Sequence, residues 1–452
     1  MLDDILRERS KKLENISASG QNPYPARVKR THGIAECLSH FWLLSLFRRP
    51  VAIAGRVTAL RKQGGLIFAD VRDRGGSIQV LLKKDELNNF SFFEDNLDIG
   101  DFLEAGGILI KTRRGEKSVK AREARIIVKS LQPLPSSWYG IKDVEERFRK
   151  RYLDMLLNKE VDEKLRERSE IIKALRDFLA GEGFMEVETP VFQPIPGGAK
   201  ARPFVTHHNA LDEDFYLRIA PELYLKRLLV AGWEKIYELG KVFRNEGIDR
   251  DHNPEFTMLE LYWAYQDYNG LMDFTEKMLK SFKLEALSFE DKLPRITYAE
   301  AFKKYAKKDS SKLNNDELDE VFKKEVRPKI KEPTFVIDHP KVISPLAKSK
   351  EDNHELAERF QLIVNGMEIV NGFSELNDPI DQRKRMEEQE KRFRAGDEEE
   401  SRFDAEFIEA LGYGMPPAAG LGIGIDRLVA IATGTHAIKE IIIFPTLRAK
   451  KE

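Results

Sequence analysis

GKVFRNEGIDRDHNPEFTMLELYWAY, residues 240–265, decides how this chain is read. Its two ends have the pattern of strands joined by a charged loop. Strand side chains alternate with period two, so Val242, Arg244 and Glu246 share a face. Phe256, Met258, Glu260 and Tyr262 share a face by the same count. The connecting GIDRDHNP contains the turn formers Gly247, Asn253 and Pro254. One sheet face thus offers a fixed cation, two carboxylates, an aromatic ring and a phenol, and the loop beside it carries Arg250 and His252. A solvated amphipathic hairpin would carry the same charges without chemistry. A polyanion with a flat base attached would use them all. Arg244 can hold a phosphate through paired hydrogen bonds, Phe256 can take a purine on its face, and Arg250 and His252 can reach tail phosphates.

Three other stretches have the same density of polar groups. RFQLIVNGMEIVNGFSELN (359–377) alternates apolar and polar residues as two strand segments, with Glu368, Asn371, Phe373 and Glu375 of interest. PPAAGLGIGIDRLVAIATG (416–434) is a strand with Gly420, Gly422 and Gly424 that enters a helix at Asp426. It is neither a P-loop nor a dinucleotide fingerprint, because Arg427 stands where the third glycine would be. The glycines let backbone lie against a ligand, and Arg427 near a helix N-terminus suits phosphate. Upstream, Gly197 and Gly198 sit where the backbone must turn sharply or approach a ligand. A strand then ends near Ala220, and Glu222 opens a helix whose apolar positions are Leu223, Leu225, Leu228 and Leu229. As a first-turn acid Glu222 suits the helix dipole whatever else it does.

FRNE followed by HNPEFTMLELYWAY resembles motif 2 of the class II aminoacyl-tRNA synthetases, and most closely that of the lysyl-tRNA synthetases. An amphipathic helix expected over 161–180, stopped by Gly181 and Gly183, leads into the strand-like GFMEVETPVF with Pro190 near its end. That pair resembles motif 1, the family's homodimer interface. Residues 416–434 resemble motif 3, and EIIIFPTLR (440–448) matches the family as well. The resemblance implies ATP-dependent activation of L-lysine and its transfer to tRNA(Lys). By it, Arg244 and Arg427 are the catalytic residues. ATP is bound by Arg244, Glu246, His252, Asn253, Phe256 and Arg427, with Arg250 a weaker candidate. Lysine is bound by Gly198, Glu222, Glu260, Tyr262, Asn371, Phe373, Glu375, Gly422 and Gly424.

A buried ammonium needs carboxylates around it. Glu222, Glu260 and Glu375 would in turn repel one another unless a cation lay among them. Their convergence, which sequence does not show, would point to a cationic ligand. Mg²⁺ is implied at Glu368 and Gln361. Here the chain departs from the family, which usually has glutamate at the position of Gln361. An amide oxygen ligates Mg²⁺ but brings no charge, so one metal site would be weakened or shifted.

The remainder organises around that domain. Residues 1–50 read as an N-terminal helical extension, 51–133 as a barrel, 134–150 as a linker and 151–452 as the catalytic domain, with an insertion at about 285–350. The barrel rests on five short alternating runs: VAIAGRV, LIFADVRD, SIQVLL, DFLEAGGILI and ARIIVKSL. This spacing fits an OB-fold, which binds oligonucleotides on one face. Phe68 and Gln79 fall on neighbouring strands near the basic Arg56, Arg61 and Lys62. An aromatic ring stacks on a base and an amide reads its edge; the alternative places Phe68 in the barrel core. In the family these two positions contact the anticodon. The implied fold is α+β, an antiparallel sheet flanked by helices plus an N-terminal five-stranded OB-fold barrel.

Composition sets outer bounds. With 452 residues, 41% of them hydrophobic, the chain can bury more than one core. A net charge of −1 leaves RNA contacts to local patches. The single cysteine, Cys37, excludes an internal disulfide and fits the cytoplasm, where a small core residue is its expected role. The polar N-terminus shows no signal peptide. The apolar run Phe41–Phe47 is too short to span a bilayer and reads as a buried helix turn. The lysine-rich 285–350 and the helix DQRKRMEEQEKRFRAGDEEESR (381–402) read as solvated faces without chemistry.

Three other functions fit parts of this pattern. Aspartyl- and asparaginyl-tRNA synthetases share the barrel and motifs, but usually carry SPQ where this chain has APEL, and their acidic substrate needs cations. A lysyl transferase acting on elongation factor P lacks the barrel. A non-catalytic relative is favoured by Gln361 alone.

Overall fold

The computed structural model describes residues 2–135, 141–282, 289 and 292–450. Residues 136–140 of the expected linker, and 285–288, 290 and 291 of the expected insertion, lie outside them. The chain forms two compact units, Met1–Gly140 and Ile141–Glu452.

In the first unit, β1 (Pro50–Gln63), β2 (Leu66–Asp73), β3 (Gly76–Lys83), β4 (Phe102–Lys111) and β5 (Lys117–Val128) close a barrel in the order β1-β2-β3-β5-β4. Alternation decides what fills it. Ile67, Ala69 and Val71 of β2 and Ile78, Val80 and Leu82 of β3 are buried inside. Phe68 and Gln79 fall between those positions, on the outer face and half-buried. The core alternative for Phe68 is therefore excluded. The helix Leu2–Ala18 is tied to the barrel by Arg9, which donates to the Ser130 carbonyl at 2.7 Å and the Ile99 carbonyl at 2.9 Å.

Two short helices, Ile34–Ser39 and Phe41–Leu46, add Ile34, Cys37 and Leu44 to the barrel core. Burial, with Glu36 and Asp73 nearby, pushes the Cys37 thiol up to about 11, so it is a packing residue and not a nucleophile. The expectation for Phe41–Phe47 is corrected. The segment is helical, but only Leu44 is buried, while Trp42 is 71% exposed and Phe47 65%. A six-residue helix presents a single narrow face to the barrel, with Phe41 half-buried against the core, and Trp42, Leu43, Leu46 and Phe47 stay exposed.

The second unit contains β6 (Met185–Glu186), β7 (Phe192–Gln193), β8 (Val205–His208), β9 (Glu213–Leu217), β10 (Lys235–Phe243), β11 (Glu255–Ala264), β12 (Arg295–Thr297), β13 (Thr334–Pro340), β14 (Leu356–Val364), β15 (Met367–Ser374) and β16 (Ala418–Gly424). Eight of them form one sheet in the order β12-β13-β14-β15-β16-β11-β10-β6, and β7-β9-β8 form a small separate sheet. The pairs from β13 through to β10 are antiparallel, as expected. The two outermost pairs, β12–β13 and β10–β6, are parallel.

One face of this sheet is covered. The helices Lys159–Gly181, Tyr268–Ser281 and Ile425–Ala432 bring Leu175, Leu179, Leu271, Met278 and Leu428 against Leu259, Leu261, Leu421 and Ile423. Period two then turns Met258, Glu260 and Gly422 to the opposite face, and that face holds the site.

Several expectations are revised. Residues 183–192 do not run as one strand. Thr189 donates its N–H and hydroxyl to Glu238 at 3.1 and 2.6 Å instead of to a ladder, and Pro190 has no N–H to give. Strands β12 and β13 belong to the main sheet although they lie within the expected insertion. The helix Pro379–Arg394 is not solvated all round: Gln382, Arg385, Met386 and Gln389 are buried, and Arg385 donates to the Ala347 carbonyl at 2.9 Å.

Candidate active site

The site is laid out by register. Gln361, Asn371, Gly422, Glu260 and Glu238 stand side by side across β14, β15, β16, β11 and β10. The next row is Arg359, Phe373, Gly420, Tyr262 and Ile236. From β14 to β11 both rows open on a cavity of about 830 Å³, which Glu238 and Ile236 of β10 do not line. Its lining includes most of the residues singled out from sequence: Gly198, Glu222, Arg244, Glu246, His252, Asn253, Phe256, Glu260, Tyr262, Gln361, Glu368, Asn371, Phe373, Gly422, Gly424 and Arg427. Gly198 has φ +87°, and a Cβ there would lie 2.9 Å from the Glu222 Cβ, so the backbone approach requires glycine.

At one end the carboxylates converge. Glu222, 5% exposed, opens the helix Glu222–Val230 and meets Lys226 one turn later, with Nζ to Oε1 at 2.6 Å. The same Nζ lies 2.5 Å from Glu375 Oε2. Glu260 accepts from the Tyr262 hydroxyl at 3.2 Å. Lys226 is thus a resident cation that sequence reading missed: as the fourth residue after Glu222 it has the spacing of an ordinary helix-surface pair. Lys226, with Arg359 beside Glu222 and Arg244 beside Glu260, does not offset the burial of three carboxylates. Burial raises Glu222 even against Lys226 and Arg359. Burial and Glu222 together raise Glu260 well above the carboxylate range. Glu375 is pushed up to about 8 by burial and Glu222, against the pull of Lys226. Glu375 does not itself line the cavity. It sits behind Gly420 and Tyr262, with Oε1 buried and unpartnered.

The other end is cationic. Strand β10 stops at Phe243, and the Arg244 N–H makes one more rung to the Pro254 carbonyl at 2.8 Å before the chain turns. Arg244 lies over the Phe256 ring, 5.1 Å from its centroid, and its Nε is buried without a partner. Period two does not carry to Glu246, which is exposed in the loop at the cavity mouth. His252 is gripped through Nδ1 by Asp249 at 2.8 Å, and its Nε2 accepts from Arg427 Nη2 at 3.2 Å. In this arrangement it orients Arg427 rather than standing free. Asn253 Oδ1 is buried and unpartnered. Arg250 is corrected: it pairs with Asp251 at 3.0 Å and lies outside the cavity wall.

Arg427 is positioned from below. Asp426 accepts from the Thr257 N–H at 2.8 Å and from Arg168 at 2.7 Å, which locks the start of the helix Ile425–Ala432 to β11 and to the long helix Lys159–Gly181. Arg359 donates to Asn371 Oδ1 at 2.9 Å and fixes that amide. Arg168 did not stand out in the sequence, because its partners Thr257 and Asp426 are remote in the chain.

The donor set at the suggested metal position fits a single ligand. Glu368 presents a carboxylate, and Gln361 Nε2 donates to its Oε2 at 2.9 Å. The Gln361 oxygen faces the His339 ring at 3.4 Å, and burial holds His339 neutral by lowering it to about 3. Gln361 therefore turns a donor, not a lone pair, toward Glu368. Among the described residues no three His, Cys, Asp or Glu side chains group as a metal cage. Glu368 alone suits Mg²⁺ carried on a substrate phosphate. Residues of the expected insertion also reach the cavity, Lys323, Lys324 and Arg327 among them, which corrects its reading as a wholly solvated face.

On the barrel, Gln79 lies opposite Asp70 and accepts from the Ser118 hydroxyl at 3.0 Å, while Phe68 lies opposite Arg61 and Leu81. The ring and the amide share an outer face with a cation beside them.

Comparison with known proteins gives a consistent result. Residues 143–448 match the family model of class II tRNA synthetases (D, K and N), and residues 51–127 match an OB-fold nucleic acid binding domain. The chain is 46% identical to a lysine–tRNA ligase of Pelotomaculum thermopropionicum, over 100% of its length and 96% of that protein's. It is 46% identical to the lysine–tRNA ligase of Moorella thermoacetica, covering 100% and 99%, and 44% identical to that of a Roseiflexus species, covering 99% of each.

Proposed function

The chain belongs to the class II tRNA synthetases (D, K and N), its activity is that of a lysine–tRNA ligase, and we propose that the two ends of the cavity divide the substrates between them. The carboxylate end takes L-lysine. The observation that carries this is that Glu222, Glu260 and Glu375 are all raised by burial although Lys226, Arg359 and Arg244 pull against it. An ammonium group supplies the missing charge; an aspartate or asparagine side chain does not. Gly422 of β16 leaves room for it beside Glu260, and Glu375 acts from behind Gly420 and Tyr262.

The cationic end takes ATP. Phe256 stacks on adenine, and Glu246 and Asn253 position the base and sugar. Arg244 holds the α-phosphate and the lysine carboxylate together, and Arg427, steadied by His252, holds the tail. A lysine carboxylate oxygen attacks the α-phosphorus in line, the bond to the bridging oxygen of pyrophosphate breaks, and lysyl-adenylate remains. The terminal ribose hydroxyl of tRNA(Lys) then attacks the lysyl carbonyl, and AMP leaves. No protein nucleophile is required: positioning and charge neutralisation suffice. Mg²⁺, held by Glu368 on the protein side, would add positive charge at the phosphates.

Phe68 and Gln79 read the anticodon by stacking and by an amide edge. A homodimer through the motif 1 region is supported by Met185, 47% exposed on the edge strand β6, and by Phe192, 60% exposed on β7. Sedimentation as a monomer would remove that assignment. The cytoplasm suits the free thiol, and among the described residues no helix is long and apolar enough to cross a membrane. The decisive experiment is ATP–pyrophosphate exchange with each of the twenty amino acids. Exchange with lysine alone is expected; exchange with aspartate or asparagine would overturn the reading.

A further inference from the structure

Arg327 faces the same cavity from outside the main sheet. It follows a π-helical turn, Phe322–Val326, and starts the 3₁₀ turn Arg327–Lys329. Such wide turns are rare and tend to mark functional positions. The segment is rigidly held. Phe322 and Val326 are buried in an aromatic cluster with Tyr298 and Phe302. The turn between β14 and β15 docks on the same backbone, with the Asn365 and Gly366 N–H groups donating to the Lys331 and Ile330 carbonyls, both at 2.8 Å. The element that carries Arg327 is thus bolted to the hairpin that carries Gln361 and Glu368.

Its neighbours are spent on local pairs: Lys323 on Asp319 at 2.6 Å and Lys324 on Glu320 at 2.5 Å. Arg327 is not. Among the described residues its ion-pair partner is Glu368 alone, at 3.8 Å, beyond hydrogen-bond reach, and its Nε is buried and unpartnered. Arg427 also reaches this residue, donating to the Glu368 backbone carbonyl at 3.2 Å. Two guanidinium groups therefore meet at Glu368, Arg427 at its backbone carbonyl and Arg327 near its carboxylate, which has already given one oxygen to an amide.

We propose that Arg327 is a positioning residue for the tail phosphates of ATP, a fixed cation in the wall that does part of the charge neutralisation a divalent ion would otherwise do. This rests on the assignment of the Arg427 end to the phosphates. A planar guanidinium with an open donor edge grips a phosphate where a carboxylate would need a metal between. The Gln361 amide fits the same plan, because it holds Glu368 without adding negative charge.

Calorimetric titration of the full chain with ATP and with AMP, each in chelator and in excess Mg²⁺, tests it. Arg327→Gln should weaken ATP binding about tenfold or more in chelator. Excess Mg²⁺ should largely restore it, and AMP, which has no tail, should bind as before. Arg327→Lys should keep most of the ATP affinity. Unchanged ATP binding by Arg327→Gln in chelator would overturn the proposal, and so would equal weakening of ATP and AMP, the mark of a disturbed fold. If the unmodified chain binds ATP and AMP and only the variant contrast is flat, this proposal alone falls. If it binds neither, the phosphate assignment falls first.

Discussion

At Glu375, burial and the neighbouring Glu222 favour the protonated carboxyl up to about 8. The stabilisation from holding that proton is complete at low pH and is lost as pH rises through about 8. A lysine ammonium prefers the ionised form. Binding lysine near neutral pH should therefore release protons, and lysine affinity should climb with pH and level off above about 8. Titrations in buffers of different ionisation heat measure the release directly; none detected would mean the pocket is already ionised. Glu375→Gln should sharply reduce lysine-dependent exchange and leave ATP binding nearly intact, and equal activity would remove the residue from the pocket. The three carboxylates were legible in the sequence because each sits in a distinctive string. Lys226 was not, since its meaning depends on a contact with Glu375, 149 positions on, that no local pattern encodes.

Strand β16 is the element where backbone takes the place of side chains. A Cβ at Gly420 would run into the Tyr262 ring and Glu375, whereas one at Gly424 would meet only Arg427, at 3.8 Å. Gly420→Ala should therefore lower lysine activation far more than Gly424→Ala, as read by KM for lysine in the exchange assay; equal effects would mean that β16 tolerates a shift. The glycine run announced this close approach, and the hairpin β10–β11 was legible by alternation alone. Failures came where polar side chains replaced ladder bonds. Thr189 bonds Glu238 and ends the strand expected at 183–192. Arg385 turns a highly charged helix into a half-buried one by capping remote carbonyls. Hydropathy patterns do not register such bonds, because they count a charge as solvated wherever it lies.

The two compact units predict two separable losses. The exchange reaction needs lysine, ATP and the cavity proposed to hold them, whose lining residues all fall within Ile141–Glu452. Phe68 and Gln79 lie in the other unit, on the outer barrel face, where the core packs without them. Removing the Phe68 ring costs no core contact, so Phe68→Ala should fold normally. One lost base stack is worth about 1–3 kcal/mol, or roughly 5- to 160-fold in tRNA affinity. The variant should thus charge tRNA(Lys) with a raised KM for tRNA while its lysine-dependent exchange stays at the parent rate. Loss of both activities would point to a barrel that no longer folds, and a thermal melt of the variant would reveal it. Unchanged charging would instead show that the barrel's aromatic face takes no base, leaving the neighbouring cations to hold the RNA backbone without reading it.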